Sequence, residues 1–201
     1  MKKQLAVLFT LLILVPVVLA ACGGDDKDSD GGDVSLGQSF ETTQQGVTLK
    51  FNYPDGWANE EQEGSVAIGS TQSVLESLSG DSIPELGGSD AGMLLLPFPA
   101  QMLTLEGDAS EVSATAAVES FGGQLLEGEG EISLGEASET TFNGKAAASA
   151  TISGDANGEF FVVEASEDFF LFAIYVAGDY NDDAKAIAEG IMNSAELTVS
   201  E

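Results

Sequence analysis

Apolar residues recur at every second position over Val47, Leu49, Phe51 and Tyr53, interleaved with Thr48, Lys50 and Asn52. Successive strand side chains point to opposite faces, so this pattern predicts a half-buried β-strand. Phe40 and Thr42 predict a shorter strand before it and Ser65 to Ile68 one after it. Between them, Pro54-Asp55-Gly56 predicts a turn, because proline fixes φ and glycine accepts positive φ. Met93 to Leu96 is a further apolar run, which Pro97-Phe98-Pro99 confines to a sheet edge or an exit from the sheet. Phe160 to Val163 and Phe169 to Val176 are almost continuously apolar on either side of Ser166-Glu167-Asp168. Strands of that kind are buried on both faces, so these two are expected at the centre of an antiparallel sheet that is covered on both sides.

The period then shifts toward that of a helix in three places. Ser70-Thr71 caps a short helix with Val74, Leu75 and Leu78 inward, before Gly80, Pro84, Gly87 and Gly88 break the chain into an irregular stretch ending near Gly92. Asp108 and Glu111 have the spacing of a capping box ahead of Ala114, Ala117, Val118 and Phe121, an amphipathic helix stopped by Gly122-Gly123. Near the end, Asn181 or Asp182 caps a helix with Ala184, Ile187, Ala188, Ile191 and Ala195 on one face, and Leu197 to Val199 reads as a short final strand. Between the second and third helices, Ala137 to Phe142 and Lys145 to Ile152 flank Asn143-Gly144, the strongest two-residue hairpin signal. Asp155-Ala156-Asn157-Gly158 makes the next turn.

The first residues follow a different logic. Lys2 and Lys3 precede an apolar run from Leu5 to Val18, then small residues at Ala20 and Ala21, then Cys22, the single cysteine of the chain. A charged region, an apolar region and a small-residue cleavage site make a secretory signal, and the cysteine makes it resemble a bacterial lipoprotein signal. The resemblance implies cleavage between Ala21 and Cys22 and a diacylglyceryl group on the Cys22 thiol. As a membrane-spanning helix the run is short against the roughly 17 to 25 residues required. Residues 23 to 33, GGDDKDSDGGD, contain no apolar side chain and read as a solvated tether. Asp26, Asp28, Asp30 and Gly31 match the opening of a calcium loop, but its twelfth position, where a bidentate Glu belongs, is Gly37. The expected organisation is a signal over 1–21, an acidic tether over 22–34 and one domain over 35–201.

Charge narrows the partners. Of 201 residues 34 are acidic and six are lysine, with no His and no Arg. Loss of Lys2 and Lys3 with the signal leaves four lysines and a net charge of −30. Nucleic acid is excluded, because its affinity comes largely from Lys and Arg on phosphates. Peripheral attachment to anionic lipid is disfavoured for the same reason, which leaves the acyl group at Cys22 as the expected link to a membrane. Without His the usual general base is missing, no G-x-S-x-G elbow occurs, and no Ser stands three residues before a lysine. No catalytic residue, cofactor or metal is therefore expected, apart from the calcium candidates Asp26, Asp28 and Asp30.

Phe51-x-Tyr53-Pro54-x-Gly56-Trp57, a middle helix, Phe142 to Ala146 reading Phe-Asn-Gly-Lys-Ala, aromatic strands and a closing helix running into Asn193-Ser194 together resemble the PsbP-like α/β/α sandwich. This is an α+β fold with an antiparallel sheet flanked by helices, and the resemblance covers about Ser35 to Val199. It implies a non-catalytic protein that binds a partner or small ligand, often as an extracytoplasmic lipoprotein in bacteria. A photosystem role is not implied, since nothing matches residues specific to the plant proteins. The expected function is accordingly a lipid-anchored binding or assembly module for an envelope partner. The alternatives are a small-molecule or calcium binder using the Ser70 to Gly92 region, and a carboxylate-dependent hydrolase. Tyr53, Trp57 and Phe98 are candidates for a ligand or partner surface. Trp57, the only tryptophan, has a second reading as a core anchor closing the turn against the sheet.

Overall fold

The computed structural model describes residues 35–79, 86–103, 112–122 and 132–200. Its first four strands are β1 (Gln38–Gln44), β2 (Val47–Tyr53), β3 (Ala58–Gln62) and β4 (Ser65–Gly69). Helix α1 (Gln72–Leu78) leads to β5 (Ala91–Pro99) and a single 3-10 turn, Ala100–Met102. Helix α2 (Ala114–Ala117) continues as one π turn, Val118–Gly122. Then come β6 (Ile132–Leu134), β7 (Ser138–Phe142), β8 (Lys145–Gly154), β9 (Gly158–Glu164), β10 (Phe169–Ala177), α3 (Asp182–Ser194) and β11 (Glu196–Val199). The signal, the tether and the calcium-like Asp26, Asp28 and Asp30 lie outside the described residues, as do Asp108 and Glu111.

The strands form two antiparallel sheets. The larger runs β3-β4-β5-β10-β9-β8-β6, with β7 also paired to β8, and the smaller runs β1-β2-β11. The two continuously apolar segments are β9 and β10, paired with each other, and β10 continues the sheet through β5. One face of this sheet carries Val66, Met93, Phe161, Leu171 and Tyr175 and packs on α3 and the small sheet. The other carries Ala148, Phe160, Val162, Phe172 and Ile174 and packs on α1 and α2. Adjacent residues of β9 and β10 thus enter opposite cores, which is why no polar alternation marks them. The fold is α+β and layered as expected, with one addition: a three-stranded sheet shares the covering of one face with α3.

Local signals explain most boundaries. Thr71 caps α1, its hydroxyl accepting from Val74 N at 3.2 Å, and Asn181 caps α3, accepting from Ala184 N at 3.0 Å. Each satisfies one of the orphan donors of a helix start. Asn143 (φ 49°) and Gly144 (φ 72°) give the left-handed pair that a tight β7–β8 turn needs. Three expectations need correction. Helix α2 starts at Ala114 with Ser113 as its cap, accepting from Ala116 N at 3.2 Å, so the helical periodicity was right but its start was placed too early. Strands β3 and β6 were not expected, because Ala58–Gln62 is almost wholly polar and largely exposed and Ile132–Leu134 is only three residues long, and both stand at the ends of the strand order. Pro97-Phe98-Pro99 neither leaves the sheet nor lies on an edge strand, since β5 has neighbours on both sides. The proline rule holds locally: β4 covers β5 only from Gly92 to Leu95, so the prolines occupy a part of β5 paired to β10 alone.

Candidate functional site

The segments that carried the resemblance meet at the end of α3. Asn193 Oδ1 accepts from Asn143 N at 3.4 Å, tying the helix to the β7–β8 turn. Ser194 Oγ accepts from Asn52 N at 2.8 Å, tying it to β2. Phe51 is fully buried and its ring lies 6.0 Å from that of Tyr53. The Tyr53 hydroxyl accepts from Asn59 Nδ2 at 2.8 Å and donates to Gln38 Oε1 at 3.2 Å, while Gln38 Nε2 donates to the carbonyls of Pro54 (3.2 Å) and Trp57 (3.4 Å). Tyr53 and Trp57 are thus joined through Gln38, with Tyr53 buried and Trp57 half-buried against the same core. Phe98 is on the opposite face of the sheet, stacked on Phe172 at 5.0 Å and tilted against Phe121 at 5.8 Å. The three aromatic candidates do not share one surface. Cys22 and Ala21 lie outside the described residues.

Sequence reasoning passed over Glu159, the only charged residue buried among the described ones, at 5% exposure. It stands in β9 directly opposite Tyr175 of β10, and the Tyr180 hydroxyl donates to its carboxylate. Burial, then the bond to Glu159 and that group's charge, push the Tyr180 hydroxyl well above the ordinary tyrosine range. Burial does the same to Tyr175, whose hydroxyl has no hydrogen-bond partner. Tyr180 also walls a polar cleft of about 490 Å³ with Thr151, Ser153, Asn157, Asp179 and Asn181. The signal was one acidic residue among apolar neighbours, Gly158-Glu159-Phe160-Phe161, which the abundance of Asp and Glu elsewhere concealed.

A second concavity, of about 210 Å³, opens between the two sheets. The small sheet contributes Val47 and Leu49, β4 contributes Val66, and Pro97, Pro99 and Phe169 close the far side. Thr42, Gln44, Gln45 and Ser65 supply its polar atoms. Among the described residues, no group of three or more Asp, Glu, His or Cys is placed to hold a metal ion, and no helix is long and apolar enough to cross a membrane.

No protein-family model matches the chain, and no curated protein matches it. Solved structures do. A crystal structure from Bacteroides thetaiotaomicron VPI-5482 aligns with a TM-score of 0.37 at 12% identity, over 83% of this chain and 50% of that one. The solution structure of cyanobacterial PsbP (CyanoP) from Synechocystis sp. PCC 6803 aligns with a TM-score of 0.50 at 16% identity, over 86% of this chain and 98% of that one. With the order of strands and the two-sided covering described above, this likeness makes the fold of the chain PsbP-like.

Proposed function

We propose that this chain is an extracytoplasmic lipoprotein, held at the bacterial cell membrane through Cys22, whose PsbP-like domain is a non-catalytic binding or assembly module for an envelope protein. The observation that carries the reading is the order Lys2-Lys3, apolar run, Ala20-Ala21, Cys22, with the cysteine occurring once and at the position that processing needs. Two acyl chains hold a protein stably where one does not, at about 0.8 kcal/mol per buried methylene. The acidic stretch after Cys22 suits a tether, because it has no apolar side chain to bury.

The test is mass spectrometry of the mature N-terminal peptide. It is expected to begin at Cys22 and to carry the mass of a diacylglyceryl thioether, and Cys22→Ser is expected to shift the protein out of the membrane fraction or leave it unprocessed. An unmodified wild-type N-terminal peptide refutes the anchor. For the module itself, crosslinking on intact membranes is expected to give one discrete adduct with an envelope protein.

A further inference from the structure

We infer that the cavity between the two sheets is a binding site for a small neutral apolar molecule, of the size of one substituted aromatic ring or two fused rings. Its volume is about 210 Å³, whereas an apolar cavity of about 150 Å³ already takes up benzene. No Asp, Glu or Lys lines it, in a chain where 34 of 201 residues are acidic. A charged ligand would give up hydration there without gaining an oppositely charged partner.

The backbone around the cavity points the same way. Pairing between β4 and β5 ends at Val66 and Leu95, and beyond it an ordinary strand would direct unpaired N–H groups into the gap. Pro97 and Pro99, two positions apart, have none to direct. That edge of β5 therefore presents carbonyl acceptors but no backbone donors toward the gap. Four apolar lining residues, Val47, Pro97, Pro99 and Phe169, are only half-buried, so the fold leaves apolar surface there that a ligand would cover.

Hydrogen bonds join two of the segments that line the cavity. Gln44 Oε1 accepts from Gly64 N at 2.9 Å, and its Nε2 donates to Gln62 O and Glu61 Oε1, each at 2.9 Å. These bonds fasten the end of β1 to the β3–β4 turn across the cavity mouth, which limits the ordering cost of binding. Thr42, Gln45 and Ser65 remain as polar lining groups able to meet one hydrogen-bonding atom of the ligand.

Indole is the probe. Titrated into the intact, isotope-labelled protein, it is expected to give saturable shifts at the methyl groups of Val47, Leu49 and Val66, and none at Ile152 on the opposite face. Filling the space with Val47→Phe, or from the β1 side with Thr42→Phe, is expected to weaken binding at least tenfold while the spectrum keeps its dispersion. Benzoate, an anion of similar size, is expected to bind at least tenfold more weakly than indole. Shifts that do not saturate or that fall elsewhere, or a folded filled variant that binds indole as the native protein does, overturn the site. Equal affinity for benzoate overturns its preference for neutral ligands.

Discussion

Ser194, the last residue of α3, holds the backbone of Asn52 on β2: its Oγ lies 2.8 Å from Asn52 N, 3.3 Å from Asn52 O and 2.8 Å from Ile191 O. One hydroxyl accepts from the strand and shares its single proton between strand and helix. Ser194→Ala leaves the Asn52 N–H without that acceptor, and the expected loss is about 1–2 kcal/mol. Urea unfolding reads it as a lower midpoint at unchanged slope. An unchanged midpoint would mean that water replaces the serine at no cost.

Gly158 opens β9 where it crosses β10. A Cβ built on it would run into the Tyr175 carbonyl oxygen, which is backbone of a central strand and has little room to retreat. Gly158→Ala is expected to cost about 3 kcal/mol or more, at the upper end of overpacking effects. Gly87→Ala is the control, since a Cβ there meets nothing within 4 Å, and its expected effect is within about 0.5 kcal/mol. Comparable thermal denaturation of the two variants would contradict this account.

The Tyr175 hydroxyl is fully buried without a partner, so Tyr175→Phe is expected to stabilise the protein by about 1 kcal/mol. Tyr180→Phe is expected to do the opposite, by about 2 kcal/mol, because it strips a buried carboxylate of its hydrogen bond. Both hydroxyls hold their protons more tightly folded than unfolded. Stability is therefore complete below the unfolded tyrosine value of about 10 and falls as pH rises beyond it. Unfolding curves between neutral and strongly alkaline pH are expected to show this slope in the native protein and a shallower one when both tyrosines are replaced.

From residue 34 onward the chain holds 29 acidic residues against Lys50, Lys145 and Lys185. The ion pair found among the described residues is Lys185–Glu189, at 3.8 Å and exposed, while Lys145 donates to the Ala165 carbonyl instead. Repulsion on such a surface opposes compaction. Sodium chloride shortens the screening length from about 10 Å at 0.1 M to about 3 Å at 1 M, so the melting temperature is expected to rise with salt. Calcium and magnesium at matched ionic strength are expected to act nearly equally. A far larger effect of calcium would instead indicate a specific site.

The parts of the fold legible in the sequence were those where burial imposes a period. β2 alternates because one of its faces is more exposed, β9 and β10 do not alternate because both faces are covered, and Thr71, Asn181 and Asn143-Gly144 sit where backbone groups need them. β3 was illegible because an edge strand of polar residues is specified by its neighbour β4 rather than by its own pattern. The cavity was illegible for a related reason: Val47, Val66 and Pro97 come together only once two sheets are stacked. Pro97 and Pro99 were visible, but as punctuation, and their role as an edge without backbone donors depends on where β4 stops.

The placement of β11 also sets an order in time. Thr198 lies opposite Thr48, 150 positions earlier, and β1 takes the other side of β2. Residues 47–53 are therefore made early, while the strand that completes their sheet, and the helix α3 that lies over Leu49 and Phe51, arrive among the last. Closing so long a loop is slow, because its entropy must be spent before its contacts form. The small sheet is therefore completed only once Glu196–Val199 has emerged, although every strand of the larger sheet precedes it in the chain.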